Sequence, residues 1–155
     1  MKFIFDSYAL QYMLEQFPKF IATDVWDRFC TYCKDGTVIS ERETKEKLLL
    51  EAIEPETIDW CRSNASVFKA IGEKESIFLN ELMRCQEFKF LDTPQLAERR
   101  IPEGLPFILG LAKVQSRCFV YRKNTNADII VRILKVCKKH SIASMEVEEF
   151  LLTCK

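Results

Sequence analysis

The sequence predicts an α/β domain built on a short parallel sheet with helices covering both of its faces. Two observations carry that expectation. Brief apolar runs, Phe3-Ile4-Phe5 first among them, end in polar residues suited to starting a helix. Strands that are apolar at every position, without alternation, are buried on both faces, as strands of parallel sheets are. Longer segments with apolar residues at helical spacing separate these runs, and such alternation implies right-handed crossovers.

Phe3, Ile4 and Phe5 form the first strand and deliver Asp6 to its carboxyl end. Asp6 or Ser7 can cap a helix over 8–17, which Pro18 punctuates. The next helix spans 23–34, with Val25, Trp26, Phe29, Cys30 and Cys33 at helical spacing and Asp35-Gly36 as its stop. Residues 37–40 form a second strand, and Ser40 with Glu43 has capping-box spacing for a helix to Ile53. Pro55 and Thr57 open a helix around Trp60 and Cys61, Gly72 interrupts, and 76–88 form a further helix. From 90 to 104 the periodicity fails, and Pro94, Pro102 and Gly104 mark a loop.

Residues 105–114 resume as an apolar helix, 118–121 form a third strand, and 122–126 a polar turn. An amphipathic helix over 127–140, a short strand at 141–145 and a closing helix over 146–152 complete the chain. No repeat, linker or low-complexity tract divides residues 1–155, so a single domain is expected.

Composition sets limits on function. The 155 residues are 48% hydrophobic and 30% charged, enough to bury a core without metals or disulfides. Lys plus Arg and Asp plus Glu are each 23, so no global basic field draws the chain to nucleic acid or anionic lipid. There is no DNA-specific signal. The N-terminal apolar run is three residues long, too short for a signal peptide, and no stretch approaches a membrane span. A cytoplasmic protein is expected. Its seven cysteines, an odd number lying mostly in apolar periodic segments, read as buried reduced thiols.

In open parallel sheets the ligand crevice lies beyond the carboxyl ends of the strands. That directs attention to Asp6, to the helix starts at 40–47 and 104–107, and to the turn at 121–123. Phe3-Ile4-Phe5-Asp6-Ser7, Val38-Ile39-Ser40-Glu41-Arg42-Glu43 leading to Leu48, and Pro106-Phe107-Ile108 with Leu111-Ala112-Lys113-Val114 stand there in order. Together they resemble the signposts of the PIN-domain superfamily, most closely a bacterial branch of PIN-like proteins. The tail, with Ile133 to Cys137, Ile142 and Glu148-Glu149-Phe150-Leu151, matches that branch's closing helix, strand and helix.

The resemblance implies a three-layer sandwich with a short central parallel sheet flanked by helices. It also implies a metal-dependent ribonuclease, often the toxin half of a bacterial toxin–antitoxin pair. Family chemistry uses about four acids converging on one or two Mg²⁺ or Mn²⁺ ions, which prefer carboxylate oxygen. Asp6 matches the first acid. Lys47 stands at the second position, Leu105 at the third, directly before Pro106-Phe107, and Arg122 near the fourth. A dication is repelled by such fixed cations. The expectation is therefore a PIN-like protein that is catalytically inactive or weak, holds no cofactor, and acts through protein or RNA binding.

The alternative is an active Mg²⁺- or Mn²⁺-dependent endoribonuclease toxin with relocated carboxylates: Asp6, Glu43 and Glu103, with Glu46 and Asp128 near family positions. Lys47 in turn offers Asp6 a tethered cation in place of a metal, and the plainer role for Asp6 is a helix N-cap.

Other groupings carry less. Cys30 and Cys33 with Cys137 and His140 have zinc-ligand spacing, but both pairs sit in helices that bury apolar residues. Arg99, Arg100, Arg122 and Lys123 would hold a phosphate or an RNA backbone if they gathered at the crevice; a solvated face is the plainer reading. Trp26, Trp60, Tyr8, Tyr12 and Tyr32 read as core or interface before base-stacking platforms. PIN toxins commonly dimerise, and the aromatic-rich segments 8–17 and 23–34 offer an apolar surface for a homodimer or another protein.

Overall fold

The computed structural model describes residues 1–89, 101–102, 104–123 and 127–155. Most of the expected loop at 90–104, with Arg99, Arg100 and Glu103, and the far end of the turn at 122–126 lie outside the described residues.

Strand β1 (Phe3–Phe5) leads into α1 (Ser7–Gln11), which continues as a π-helical turn over Tyr12–Gln16. The π turn closes where the Phe17 N–H reaches back five residues to the Tyr12 carbonyl at 2.8 Å. Pro18 then holds Phe17 extended, at ψ 133°, and stops the helix. Helix α2 (Thr23–Asp35) ends at Gly36, whose left-handed φ of 81° suits a residue without Cβ. Next come β2 (Val38–Glu41), α3 (Arg42–Glu51), α4 (Pro55–Ser63) and a two-residue strand, β3 (Phe68–Lys69). Helices α5 (Glu73–Arg84), α6 (Gln86–Lys89) and α7 (Leu105–Val114) precede β4 (Cys118–Tyr121). Helix α8 (Ala127–Lys139), β5 (Ser144–Glu146) and α9 (Val147–Thr153) finish the chain.

The five strands form one sheet in the order β3-β2-β1-β4-β5, with every pairing parallel. β1 is central: Phe3 pairs with Val38 on one side and Cys118 on the other, and Phe5 with Val120. Alternation splits the sheet between two cores. Phe3, Phe5, Val38, Cys118 and Val120 face α1, α2, α3, α4 and α9 through Leu10, Phe29, Leu48, Cys61 and Phe150. Ile4, Ile39 and Phe119 face α5, α7 and α8 through Leu82, Ile108 and Ile133. The fold is the three-layer α/β sandwich that the sequence predicts, as the PIN resemblance implies.

Several local expectations are corrected. Ser40 does not cap the third helix: it is the third residue of β2, and its hydroxyl donates to the Phe5 carbonyl at 2.8 Å, tying β2 to β1. Glu41 is the cap instead, its Oε2 accepting the Glu43 N–H at 2.7 Å. Gly72 starts a helix rather than interrupting one, since its N–H donates to Glu75 Oε2 at 3.1 Å. β3 escapes the sequence pattern because two half-exposed residues carry no period. The aromatic segments at 8–17 and 23–34 spend their apolar faces on the core: Met13, Leu14, Val25 and Phe29 are buried there.

The amino ends of the strands are closed by Arg117, which is 8% exposed. Its Nη1 donates to the carbonyls of Gly36 at 3.0 Å, Thr37 at 3.2 Å and Phe3 at 3.3 Å, and its Nε donates to Gln115 Oε1. One guanidinium thus serves the buried Phe3 carbonyl and two carbonyls of the half-buried turn before β2. Arg117→Met would leave them short of a donor and is expected to cost about 2–4 kcal/mol, measured by urea unfolding. A loss under about 0.5 kcal/mol would mean that water replaces the guanidinium.

Candidate functional site

The parallel sheet brings the carboxyl ends of β1, β2 and β4 together. Asp6 and Glu41 lie two residues beyond the last β1–β2 pair, Asp6 and Tyr121 one beyond the last β1–β4 pair, and the Asp6 N–H donates to the Val120 carbonyl at 3.1 Å. Two-residue steps from Ile4, Ile39 and Phe119 reach these three residues, so they fall on the α7 side of the sheet.

Asp6 is 1% exposed and Glu41 is 2% exposed. Asp6 caps α1, its Oδ1 accepting the Ala9 N–H at 2.7 Å. Burial pushes its carboxyl up from 3.8 to about 7, against the pull of the Ala9 and Tyr8 N–H groups and of the Lys47 charge. Burial likewise pushes Glu41 from 4.5 to about 7, and the nearby Glu43 charge adds to the rise. The N–H groups of Glu43 and Arg42 and the Arg42 guanidinium pull the other way.

Gly104 closes this edge from the side of α7. It holds a left-handed φ of 67° at the cap of α7, and a Cβ there would meet Glu41 Oε2 at 2.5 Å and Glu43 Cβ at 3.2 Å. Only glycine lets the α7 start lie so close to the two glutamates. Ser7 Oγ, next to Asp6, and Thr44 Oγ1, next to Glu43, are buried and have no hydrogen-bond partner among the described residues.

The three positions where the PIN resemblance expects an acid and none stands are each taken up by a structural contact. Lys47 Nζ lies 4.8 Å from the Tyr8 ring centroid, so its charge rests mainly on an aromatic face and acts on Asp6 only as the weakest of four influences. The Arg122 guanidinium lies 4.4 Å over the Tyr12 ring and donates to Gln16 Oε1 at 2.5 Å. Leu105 is 1% exposed inside the aliphatic core. Lys123 turns to Glu146, at 3.5 Å. Arg122 and Lys123 therefore flank the carboxyl edge, whereas Arg99, Arg100 and Glu103 lie outside the described residues.

Of the relocated acids, Glu43 stands beside Glu41, and Glu103 lies outside the described residues. Glu41 is the residue that sequence reasoning missed. Its signal was the alternation Ile39–Glu41, which ends β2 on a carboxylate as β1 leads into Asp6.

The donor set does not suit a pair of hard dications. Asp6 and Glu41 each already accept backbone N–H groups, and Gly104 abuts Glu41. Among the described residues no three His, Cys, Asp or Glu side chains converge to hold an ion. The zinc-spaced pairs are parted by the sheet, Cys33 in the aromatic core and Cys137 in the aliphatic one. The two tryptophans and Tyr32 belong to the aromatic core: Trp60 stacks on Phe29 at 6.2 Å, Trp26 lies 5.4 Å from Phe29, and Tyr32 meets Phe150 edge-on at 6.4 Å. Among the described residues no helix is long and apolar enough to cross a membrane.

The model of the DUF4411 family, a domain of unknown function, matches residues 3–155, and the chain belongs to that family. No curated protein and no solved structure matches the chain.

A raised carboxyl pKa makes a pH signature. The stability that the protonated Asp6 contributes is fully present below 3.8 and is lost as pH rises through about 7, because the unfolded chain ionises freely and the folded one resists. Asp6→Asn keeps a capping oxygen and carries no charge. It is expected to gain about 1–3 kcal/mol over the wild type at pH 8 and little at pH 4, read by urea unfolding at both values. Equal effects at the two pH values would show that Asp6 has the same pKa in the folded and the unfolded chain.

Proposed function

We propose that this DUF4411 member is a PIN-like domain that does not rely on metal-dependent RNA cleavage and works by binding, to a protein or an RNA. One observation carries the reading: all four positions that the PIN resemblance assigns to metal-binding acids are committed to local structure. Asp6 caps a helix, Lys47 and Arg122 rest on tyrosine rings, and Leu105 fills the core. Lys47 and Arg122 also bring positive charge to the rim where a family nuclease would gather dications. A toxin–antitoxin ancestry follows from the same resemblance.

The second reading, an active Mg²⁺- or Mn²⁺-dependent endoribonuclease toxin with relocated acids, draws support from Glu41. Its buried carboxylate stands one strand away from Asp6, so the relocated set would be Asp6, Glu41 and Glu43. That set would have to exchange two helix-capping bonds for a cation.

Mn²⁺ titrated calorimetrically into the purified chain separates the two. The binding reading expects no saturable uptake and no Mn²⁺-dependent loss of a mixed single-stranded RNA substrate. Uptake that Asp6→Asn and Glu41→Gln both remove, together with RNA cleavage lost in the same variants, would establish the nuclease instead.

A further inference from the structure

Four large apolar side chains stand almost fully in solvent: Phe20 at 95%, Ile21 at 87%, Leu50 at 87% and Ile53 at 82% exposure. A single exposed apolar residue is ordinary, but adjacent ones that line a groove mark a contact surface. Phe20 and Ile21 follow the π turn and line a groove of about 460 Å³ floored by Leu14, Phe17 and Pro18. Glu54 and Glu56 form its far wall, so the segment from Leu50 to Glu56 joins this groove to a smaller notch around Leu50.

The charge around both hollows is one-sided. Glu15, Glu54 and Glu56 face the single Lys19 in the groove, and Glu43, Glu46 and Glu51 face the single Lys47 in the notch. Lys47 is engaged by an aromatic ring, and Lys19, though packed inward, offsets part of the charge of Glu15, Glu54 and Glu56. Lys19 Nζ donates to the Leu14 carbonyl and sits 4.8 Å over the Trp26 ring, and Lys47 sits over Tyr8. Glu15 is held in place by Gln11 Nε2 at 3.2 Å and Thr57 Oγ1 at 3.3 Å. The result is an apolar floor with an acidic rim in which Glu15 is held and Glu54 and Glu56 are exposed. Such a rim repels lipid phosphates and nucleic-acid backbone alike, and attracts Lys and Arg flanking an apolar anchor.

We infer that this groove is the docking site for a basic amphipathic segment of a partner protein. Its apolar residues pack between Phe17, Phe20 and Ile21, and its Lys or Arg side chains meet Glu15, Glu54 and Glu56. An amphipathic helix presents that pattern, with anchors one turn apart and cations on either flank. The inference deepens the binding role proposed above and fails separately from it, because Mn²⁺ uptake is read at Asp6 and peptide affinity at Phe20 and Glu54.

The test uses a displayed library of short amphipathic peptides whose polar face is randomised among Lys, Glu and Gln, selected on the full chain. Enriched peptides are expected to carry Lys on that face and to bind more weakly as salt rises. Their affinity should fall about tenfold or more on Phe20→Ser and on the pair Glu54→Lys and Glu56→Lys, variants at exposed positions that leave the core intact. No enrichment, enrichment of Glu or Gln faces, or unchanged affinity on both variants overturns the inference. So does sedimentation showing a dimer that Phe20→Ser dissolves, which would make a second copy the occupant, or recruitment of the chain to anionic phosphatidylserine vesicles through Phe20.

Discussion

Strand β1 is three residues long, hydrogen-bonded along both edges and packed on both faces, and its burial sets the terms for the rest of the molecule. The backbone polar atoms of such a buried strand need partners within the protein. At the amino end the Arg117 guanidinium serves the Phe3 carbonyl and the turn before β2. At the carboxyl end the Ser40 hydroxyl takes the Phe5 carbonyl, and Asp6 takes the first free N–H groups of α1. The high pKa of Asp6 follows from that geometry: it is held where helix capping is satisfied and ionic hydration is not.

The two faces of the sheet differ in kind. One is aromatic, with Phe150 meeting Phe3 and Phe5 edge-on at 5.0 and 4.8 Å and Phe29 stacked on Trp60. Ring contacts of this geometry resist sliding and fix α2, α4 and α9 against the strands. The other is aliphatic, and α5 lies against α7 where Gly110 meets Glu75 and Leu79. Cysteines serve both cores as small apolar residues; burial raises the thiols of Cys61 and Cys118 to about 11 and holds them protonated.

The carboxyl edge shows how basic residues settle where acids are expected from the PIN resemblance. Lys47 and Arg122 both find tyrosines on the first helical segment, Tyr8 and Tyr12, one turn apart. Each such contact contributes about 0.5–1 kcal/mol at a partly exposed site. The first helical segment therefore does three jobs: it packs the aromatic core with Leu10 and Met13, accepts two cations on its outer face, and ends in the π turn that throws Phe20 and Ile21 into solvent.

Much of this was legible from residue order. Uninterrupted apolar runs at 3–5 and 118–121 can only be strands buried on both faces, Gly36 can hardly be anything but a helix stop, and Asp6 before a helix reads as a cap. These features are local, so the sequence by itself determined the fold class, most element positions and that no acid stands at 47, 105 and 122, where the PIN resemblance expects one. What only the tertiary structure decided was which residues meet. Register placed Glu41 beside Asp6, turned Ser40 from a helix cap into a strand tie, and split the zinc-spaced pairs across the sheet. The packing of α7 made Gly104 a spacer for two glutamates, and the chain's path after Pro18 gathered Phe20 with Glu54. The reason is physical: secondary structure follows the period of a dozen residues, whereas burial, and with it the charge state of a carboxyl, depends on segments far apart in the chain.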